Sequence, residues 1–271
     1  MQVPFHPSVK KETMKKITKY FPSAQFAMEL NQRINFALLK EGSTPRNTLF
    51  ACSVCPDEIN HYPNSLNNRL SRVAGKCFYM GGLAGIPFIG KVGFGAFTSH
   101  MPTDGNLVIL FGPHVGITPD GEFGKFARDG QGFDDHACGA AIGAYKWLED
   151  NENQWEPQPD KTAKVVIPEG TDTFDYQYVY IREALKPYYE DIKEADEPMA
   201  ELGYAMYNIT KDYIEGIVHK IPNVKVSVIG GIQINVQQPC GDLFAPMMFE
   251  VRTKDKPTKD LKHIFTEVHT Y

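Results

Sequence analysis

Helical spacing of apolar residues marks the first elements along the chain. In the first pattern, apolar side chains recur every four residues up to Gly42, at Phe26, Leu30, Ile34 and Leu38. This spacing predicts an amphipathic helix, which with the lysine-rich segment before it forms a helical N-terminal arm over about residues 1–45. A second apolar stripe predicts a helix over 65–77, and similar patterns predict helices over about 174–189 and 199–220.

Short apolar runs bounded by turn-forming residues predict the strands. The clearest are 48–54, which stops at Cys55-Pro56-Asp57, and 106–111, which stops at Gly112-Pro113-His114. Further strands are predicted at 164–167, 224–229, 232–236 and 247–251, whereas the glycine-rich stretch 81–95 is predicted to be a loop or hairpin. This order predicts one α/β domain over 1–271, with a mostly parallel central sheet flanked by helices and an antiparallel edge or extension.

Composition and charge narrow the classes of function. Hydrophobic residues make up 42% of the chain and charged residues 23%, which is ordinary for a globular protein. The net charge of −5 and the scattered basic residues argue against a nucleic-acid partner, and the lysine cluster at 10–19 is typical of a solvated helix face rather than a membrane-binding one. No membrane span or secretory signal is evident, so we expect a protein of the cytoplasm or of the chloroplast stroma, which is not secreted.

Candidate metal ligands follow two of the predicted strands. Cys55 and His114 come directly after strand ends, and the carboxyl ends of neighbouring parallel strands meet at one edge of a sheet. Cys138 falls in or near the first turn of another predicted helix, where the helix dipole favours a thiolate. Two thiolates and an imidazole suit Zn²⁺ and leave a fourth position for water. Taken alone, each cysteine is more often a buried packing residue and the histidine more often a hydrogen-bonded loop residue, and only their joint placement makes a metal site as favoured as these alternatives.

Three short motifs together resemble a known family. CPDE at 55–58, GPHVG at 112–116 and DDHACG at 134–139, with a nearby arginine, are similar to motifs of the limiting-CO2-inducible protein B family, the theta-class carbonic anhydrases. The resemblance covers roughly residues 21–252. It implies a fold like that of beta-class carbonic anhydrases, a homodimer, and zinc held by Cys55, His114 and Cys138. The implied activity interconverts CO2 and bicarbonate through a zinc-bound hydroxide, with Asp57 as the acidic partner of the metal-bound water.

The arginine that pairs with Asp57 is chosen on helical geometry. Beta-class enzymes have it two residues after the aspartate, where this chain has Ile59, so Arg69 and Arg72 are the candidates. On the predicted helix, Arg69 lies about 70° from the centre of the buried stripe and Arg72 about 130° from it, so Arg72 points more toward solvent. We therefore predict a catalytic Asp57–Arg69 pair that keeps the carboxylate ionised and oriented.

Other residues near the motifs have open interpretations. In a helical turn His136 would point about 200° away from Cys138, so it is interpreted as a residue that supports the ligands from behind or lies on the substrate side, rather than as a ligand. Glu58 is either a surface carboxylate or a hydrogen-bond partner at the site entrance. Phe88 and Phe94 are possible walls of the substrate pocket, but aromatic residues in such a run are commonly core residues.

Two further functions fit the same sequence. One is a catalytically silent CO2- or bicarbonate-sensing or assembly subunit of the same fold, which the sequence does not separate from an enzyme. The other is a C-x-x-C oxidoreductase that uses Cys52 and Cys55. Cys52 lies inside the predicted strand rather than in a turn before a helix, and is therefore predicted to be a buried packing residue.

Overall fold

Helices and strands alternate along the part of the chain that the computed structural model describes, residues 9–128, 130, 134–218, 224–237 and 241–266. The helices are α1 Lys11–Tyr20, α2 Ala27–Lys40, α3 Leu66–Ala74, α4 Gly90–Thr98, α5 Gly139–Asp150, α6 Tyr176–Leu185, α7 Tyr189–Glu194 and α8 Pro198–Val218. The strands are β1 Gln25–Phe26, β2 Thr48–Ser53, β3 Cys77–Tyr79, β4 Asn106–Phe111, β5 His114–Ile117, β6 Lys125–Ala127, β7 Asp134–His136, β8 Lys225–Val236, β9 Leu243–Arg252 and β10 Lys259–Asp260.

One mixed sheet organises the molecule. Its strand order is β1-β9-β8-β4-β2-β3, with β10 paired to β9 and β5 paired to β8. The pairs β2–β3, β2–β4, β4–β8 and β5–β8 are parallel, whereas β9 runs antiparallel to β8, β1 and β10. The predicted fold class, a mostly parallel sheet flanked by helices with an antiparallel edge, is confirmed. A separate antiparallel hairpin joins β6 and β7.

Helices cover both faces of the sheet. Successive residues of a strand point to opposite faces, and all six residues of β4 are buried. Leu107, Ile109 and Phe111 belong to a cluster with buried residues of α1, α4 and α8. Val108 and Leu110 belong to a second cluster with α2 and α3. Burying one such side chain contributes about 1.5–3 kcal/mol, so both faces help to hold the strand ends in place.

A close backbone approach carries the chain from β4 to β5. A Cβ atom on Gly112 would lie 1.9 Å from the carbonyl oxygen of Gly231, so glycine is required where the chain passes β8. The Gly112 N–H donates to the Ser53 carbonyl at 3.0 Å, which ties this turn to the end of β2. Strand β5 then pairs with the second half of β8, with His114 opposite Gln233. This places His114 beside the segment that follows β2.

Some predicted elements differ from the structure. The stretch 81–95 contains most of helix α4, because Phe94 and Phe97 pack on the core and override the low helix propensity of glycine. The predicted strand at 164–167 is wrong: these residues pair with no strand, and Val166 is 72% exposed. The two strands predicted at 224–229 and 232–236 form one strand, β8, with a register shift between Gly230 and Gly231.

Helix boundaries also differ from the predictions. The helix predicted over 65–77 ends at Ala74, because Gly75 adopts a φ of 97° and the chain turns into β3. The predicted N-terminal arm contains α1 and α2, and its residues 1–8 lie outside the described part. The helix predicted over 199–220 corresponds to α8, with 219 and 220 outside the described residues. Among the described helices, none combines the length and apolarity needed to cross a bilayer.

Candidate metal centre

Three side chains converge at the carboxyl edge of the parallel strands. Cys55 follows β2, His114 begins β5, and Cys138 is the N-terminal cap residue of α5. Their ligand atoms all lie within 4.8 Å of one another, and all three residues are buried. The two sulfur atoms are 3.8 Å apart. The structure therefore brings together the three residues that the sequence motifs indicated.

The hydrogen bonds of His114 leave one ring nitrogen available to a metal. Nδ1 lies 2.8 Å from Oδ1 of Asn235, and an amide oxygen only accepts, so Nδ1 carries the ring proton. Nε2 is buried and has no hydrogen-bond partner among the described residues. A buried polar atom without a partner is unfavourable, and a metal ion would satisfy the Nε2 lone pair.

The contact between the two thiols shifts their pKa values in opposite directions. The contact with Cys138, helped by His114 and opposed by burial, lowers the pKa of the Cys55 thiol to about 4. The same contact and burial raise the pKa of Cys138 well above its usual range. One thiolate therefore forms readily, and the second ionises only when a cation balances the charge. Two thiolates and a neutral imidazole are a donor set that Zn²⁺ prefers, so these residues fit zinc.

A carboxylate and an arginine lie beside the three donors. Asp57 caps a 3₁₀ turn at Glu58–His61, and its Oδ2 is 3.9 Å from Nε2 of His114. Nη2 of Arg128 donates to both Asp57 oxygens, at 3.1 and 3.2 Å, and Nε donates to Glu58 at 2.6 Å. Burial raises the pKa of Asp57, whereas His114 and Arg128 oppose this rise. Arg128 is thus the cation that favours an ionised Asp57.

The predicted contact between Asp57 and Arg69 is wrong. The Arg69 guanidinium donates to the backbone oxygen of Asn64 at 3.1 Å and to its side-chain oxygen at 2.9 Å. Helix α3 begins just after Asn64 and directs Arg69 back onto this turn, away from Asp57. Arg72 is exposed, as predicted. Arg128 was missed because a hairpin brings it to the site; its closeness in sequence to the DDHACG motif was the available signal.

The centre opens into a cavity of about 410 Å³, lined by residues that include Cys55, Cys138, Asp57 and Arg128. His136 also lines it, on β7 rather than in a helix, and its Nε2 lies 2.9 Å from Nζ of Lys146.

The remaining candidate residues lie at or away from the cavity. Glu58 is a largely exposed carboxylate that pairs with Arg128. Phe88 and Phe94 do not line the cavity: Phe88 contacts Tyr180 and Tyr213, and Phe94 is buried in the core. Cys52 is fully buried inside β2.

Comparisons with known proteins identify the family. The model of the limiting CO2-inducible proteins B/C beta carbonic anhydrases matches residues 24–253. The chain belongs to this family. The match includes every residue of the candidate centre and confirms the resemblance seen in the motifs. A comparison with curated proteins gave no match.

Solved structures of the LCIB family share this fold. PtLCIB4, a homolog of the limiting CO2-inducible protein LCIB, is 30% identical with a TM-score of 0.79, over 91% of this chain and 98% of that one. A histidine-to-alanine mutant of PtLCIB4 is 29% identical with a TM-score of 0.80, over 92% and 98%. LCIB is 20% identical with a TM-score of 0.69, over 93% and 99%, which shows the fold alone.

Proposed function

We propose that this LCIB-family protein is a zinc-dependent carbonic anhydrase that interconverts CO2 and bicarbonate. The observation that carries the proposal is the convergence of Cys55, His114 and Cys138, with both cysteines at the wall of an open cavity. Three protein donors leave a fourth coordination position, which is typical of catalytic rather than structural zinc sites. Family membership supports the same reaction.

The residues around the donors have separate roles in this proposal. Zinc held by Cys55, His114 and Cys138 would supply Lewis-acid activation of water at neutral pH. Asp57, close to His114 Nε2, would accept a hydrogen bond from the attacking water and so orient its lone pair toward CO2. Arg128 would keep Asp57 ionised and fix its direction through two contacts.

The cavity offers surfaces for both forms of the substrate. Apolar side chains on its wall, including Leu83 and Ile142, suit the uncharged CO2 molecule. Arg128 and Lys146 also line the cavity and would attract the bicarbonate anion.

The test combines metal analysis and activity on one preparation. We expect one zinc per chain and CO2-hydration activity in a stopped-flow pH-indicator assay. Removal of the metal with a chelator should abolish the activity, and added zinc should restore it. A preparation with full zinc and no hydration activity would contradict the enzymatic proposal.

A catalytically silent CO2- or bicarbonate-sensing or assembly subunit is the second candidate. The observation that favours it is the 3.9 Å distance between Asp57 Oδ2 and His114 Nε2. A carboxylate so close to the donors can supply a fourth zinc ligand if its contact with Arg128 breaks, and that would close the site to water. Full zinc occupancy together with absent turnover would favour this candidate.

Assembly and location complete the proposal. A homodimer follows from the family resemblance. Analytical ultracentrifugation tests it. Residues 1–271 are proposed to form one domain, because the main sheet takes strands from Gln25–Phe26 through Lys259–Asp260. The proposed location is the cytoplasm or the chloroplast stroma, which imaging of a fluorescent fusion would test.

A further inference from the structure

One buried amide lies between the candidate ligand His114 and the turn that follows Asp57. Asn235 is on β8 and is fully buried. Its Oδ1 accepts a hydrogen bond from Nδ1 of His114 at 2.8 Å, and its Nδ2 donates to the carbonyl oxygen of Ile59 at 3.3 Å. Ile59 belongs to the 3₁₀ turn Glu58–His61, which Asp57 caps. The same side chain thus contacts two separate parts of the candidate centre.

The two contacts require the same orientation of the amide. A backbone carbonyl oxygen only accepts hydrogen bonds, so the NH2 end of Asn235 faces Ile59. The oxygen end therefore faces His114 and keeps the ring proton on Nδ1, which leaves the lone pair of Nε2 available near the two thiols. A reversed amide would bring two oxygen atoms together at Ile59, so the orientation that suits Ile59 is also the one that suits His114.

The side chain and the carbonyl group of Ile59 are held by different parts of the fold. Ile59 is fully buried, and its side chain packs with Phe126 of the β6–β7 hairpin. Arg128, which contacts Asp57, follows directly on the same hairpin. Side-chain packing thus fixes the turn against the hairpin, and the bond from Asn235 fixes it to the main sheet. Because Asp57 lies two residues before Ile59, this bond bears on the position of its carboxylate.

We propose that Asn235 is a positioning residue that joins His114 to the turn after Asp57, and so sets the distance between His114 Nε2 and the Asp57 carboxylate. In the structure this distance is 3.9 Å. In the proposed function it separates the metal ligand from the group that orients the attacking water, so a change in it alters the rate even when zinc is bound. This consequence rests on the proposed function, whereas the link between His114 and the turn does not.

Asn235→Ala tests the link because it removes both contacts. Competition with a chromophoric chelator at fixed pH should show a zinc affinity about 10–100-fold lower, the range typical when a partner of a ligating histidine is lost. With zinc added to saturation, kcat/KM for CO2 hydration should stay about 10-fold below the wild type, because the buried Ile59 carbonyl has lost its donor and the turn is less firmly held. Full activity at saturating zinc would show that Asn235 supports His114 alone, and would overturn the inference.

Two further variants separate this role from a general loss of stability. Asn235→Asp keeps an oxygen acceptor for His114 and should bind zinc more tightly than Asn235→Ala; equally weak binding would overturn the inference. Asn106→Ala is the matched control, because Asn106 is also a buried amide that donates to a backbone carbonyl, that of Gly42, at 3.2 Å. It lies at the start of β4, at the end of the strand away from the centre, and should keep wild-type zinc affinity. An equal loss of affinity in Asn106→Ala would also overturn the inference.

Amide hydrogen exchange of the zinc-free protein tests the link without an activity assay. Peptides that contain residues 58–61 should exchange faster in Asn235→Ala than in the wild type, because the turn has lost its bond to β8. Asn106→Ala should leave the exchange of these peptides unchanged. Wild-type exchange of the turn in Asn235→Ala would overturn the inference.

The wild-type protein offers a measurement that needs no variant. In nitrogen-15 NMR of the zinc-free protein with the ring neutral, we expect the proton of His114 on Nδ1, where Asn235 accepts it. A proton on Nε2 would overturn the inference even if Asn235→Ala failed to fold. If the wild-type protein holds zinc but hydrates no CO2, the proposed function fails, while the exchange rates and the tautomer still decide whether Asn235 joins His114 to the turn.

Discussion

Replacement of Arg128 with alanine would remove the cation that contacts Asp57. The change eliminates contacts of 3.1 and 3.2 Å to Asp57 and one of 2.6 Å to Glu58. The Arg128 and Asp57 side chains are only 16% and 13% exposed. Removing one partner of a buried ion pair costs about 3–5 kcal/mol. Because both side chains keep some exposure to solvent, we expect a cost near the lower value for this pair. About 3 kcal/mol corresponds to roughly 100-fold in rate if all of it bears on the reaction.

Part of that free energy is recovered when Asp57 protonates or turns, and both responses remove the acceptor that orients water. We therefore expect kcat/KM for CO2 hydration to fall about 10–100-fold in Arg128→Ala while zinc content is unchanged. Arg128→Lys keeps the charge but not the guanidinium geometry, and should lie between the alanine variant and the wild type.

Stopped-flow hydration assays with zinc analysis on each preparation would measure these effects. Arg69→Ala is the control, since its guanidinium contacts Asn64 rather than Asp57, and it should stay near the wild-type rate. The reasoning is refuted if Arg69→Ala is inactive with zinc bound and Arg128→Ala is nearly normal.

Three further measurements probe the centre and its surroundings. Elemental analysis should show that most zinc is lost when one proposed ligand is replaced, in Cys55→Ser, His114→Ala or Cys138→Ser. Cys52→Ser should keep its zinc. Full zinc in Cys138→Ser would contradict the assignment. CO2-hydration activity should rise with pH through neutrality, because the attacking water must lose a proton, and a flat profile would contradict this. Burial raises the pKa of Asp242 from 3.8 to about 7, so the folded state holds a proton that the unfolded chain releases. Stability should therefore fall as pH rises from about 4 to 7, by up to ~4 kcal/mol relative to Asp242→Asn in urea unfolding; parallel pH profiles would contradict it.

The position of the three donors could be predicted from sequence because it depends on local rules. Cys55 and His114 follow runs that read clearly as strands, and parallel strands end at one edge of a sheet. Cys138 lies where a helix begins, so its approach to that edge follows from the same architecture. The approach of Arg128 to Asp57 depends instead on how a hairpin folds over the site. Helical angles indicate which side of α3 is buried, but they do not identify the group that a side chain contacts.

Other differences arise where packing outweighs local preference. The apolar run at 164–167 resembles a strand, yet it lies as an extended segment whose Val165 packs on the cluster formed by α5 to α8. Helix α4 is rich in glycine and forms because Phe94 and Phe97 are drawn into the core. In both places the sequence pattern is compatible with two local structures, and the packing contacts of the folded protein decide which one forms.

The place of β8 in the sheet affects when the centre can form during synthesis. All three donors have been made once residue 138 is added, but His114 lies on β5, which pairs with β8 at 225–236. At about 5–20 residues per second, the ribosome needs roughly 5–20 s to reach the end of β8 from there. Until then β4 exposes the edge that β8 later covers, and the thiols at 55 and 138 are present without a fixed imidazole between them. Metal insertion is therefore expected to follow closure of the sheet in the nascent protein rather than to guide it.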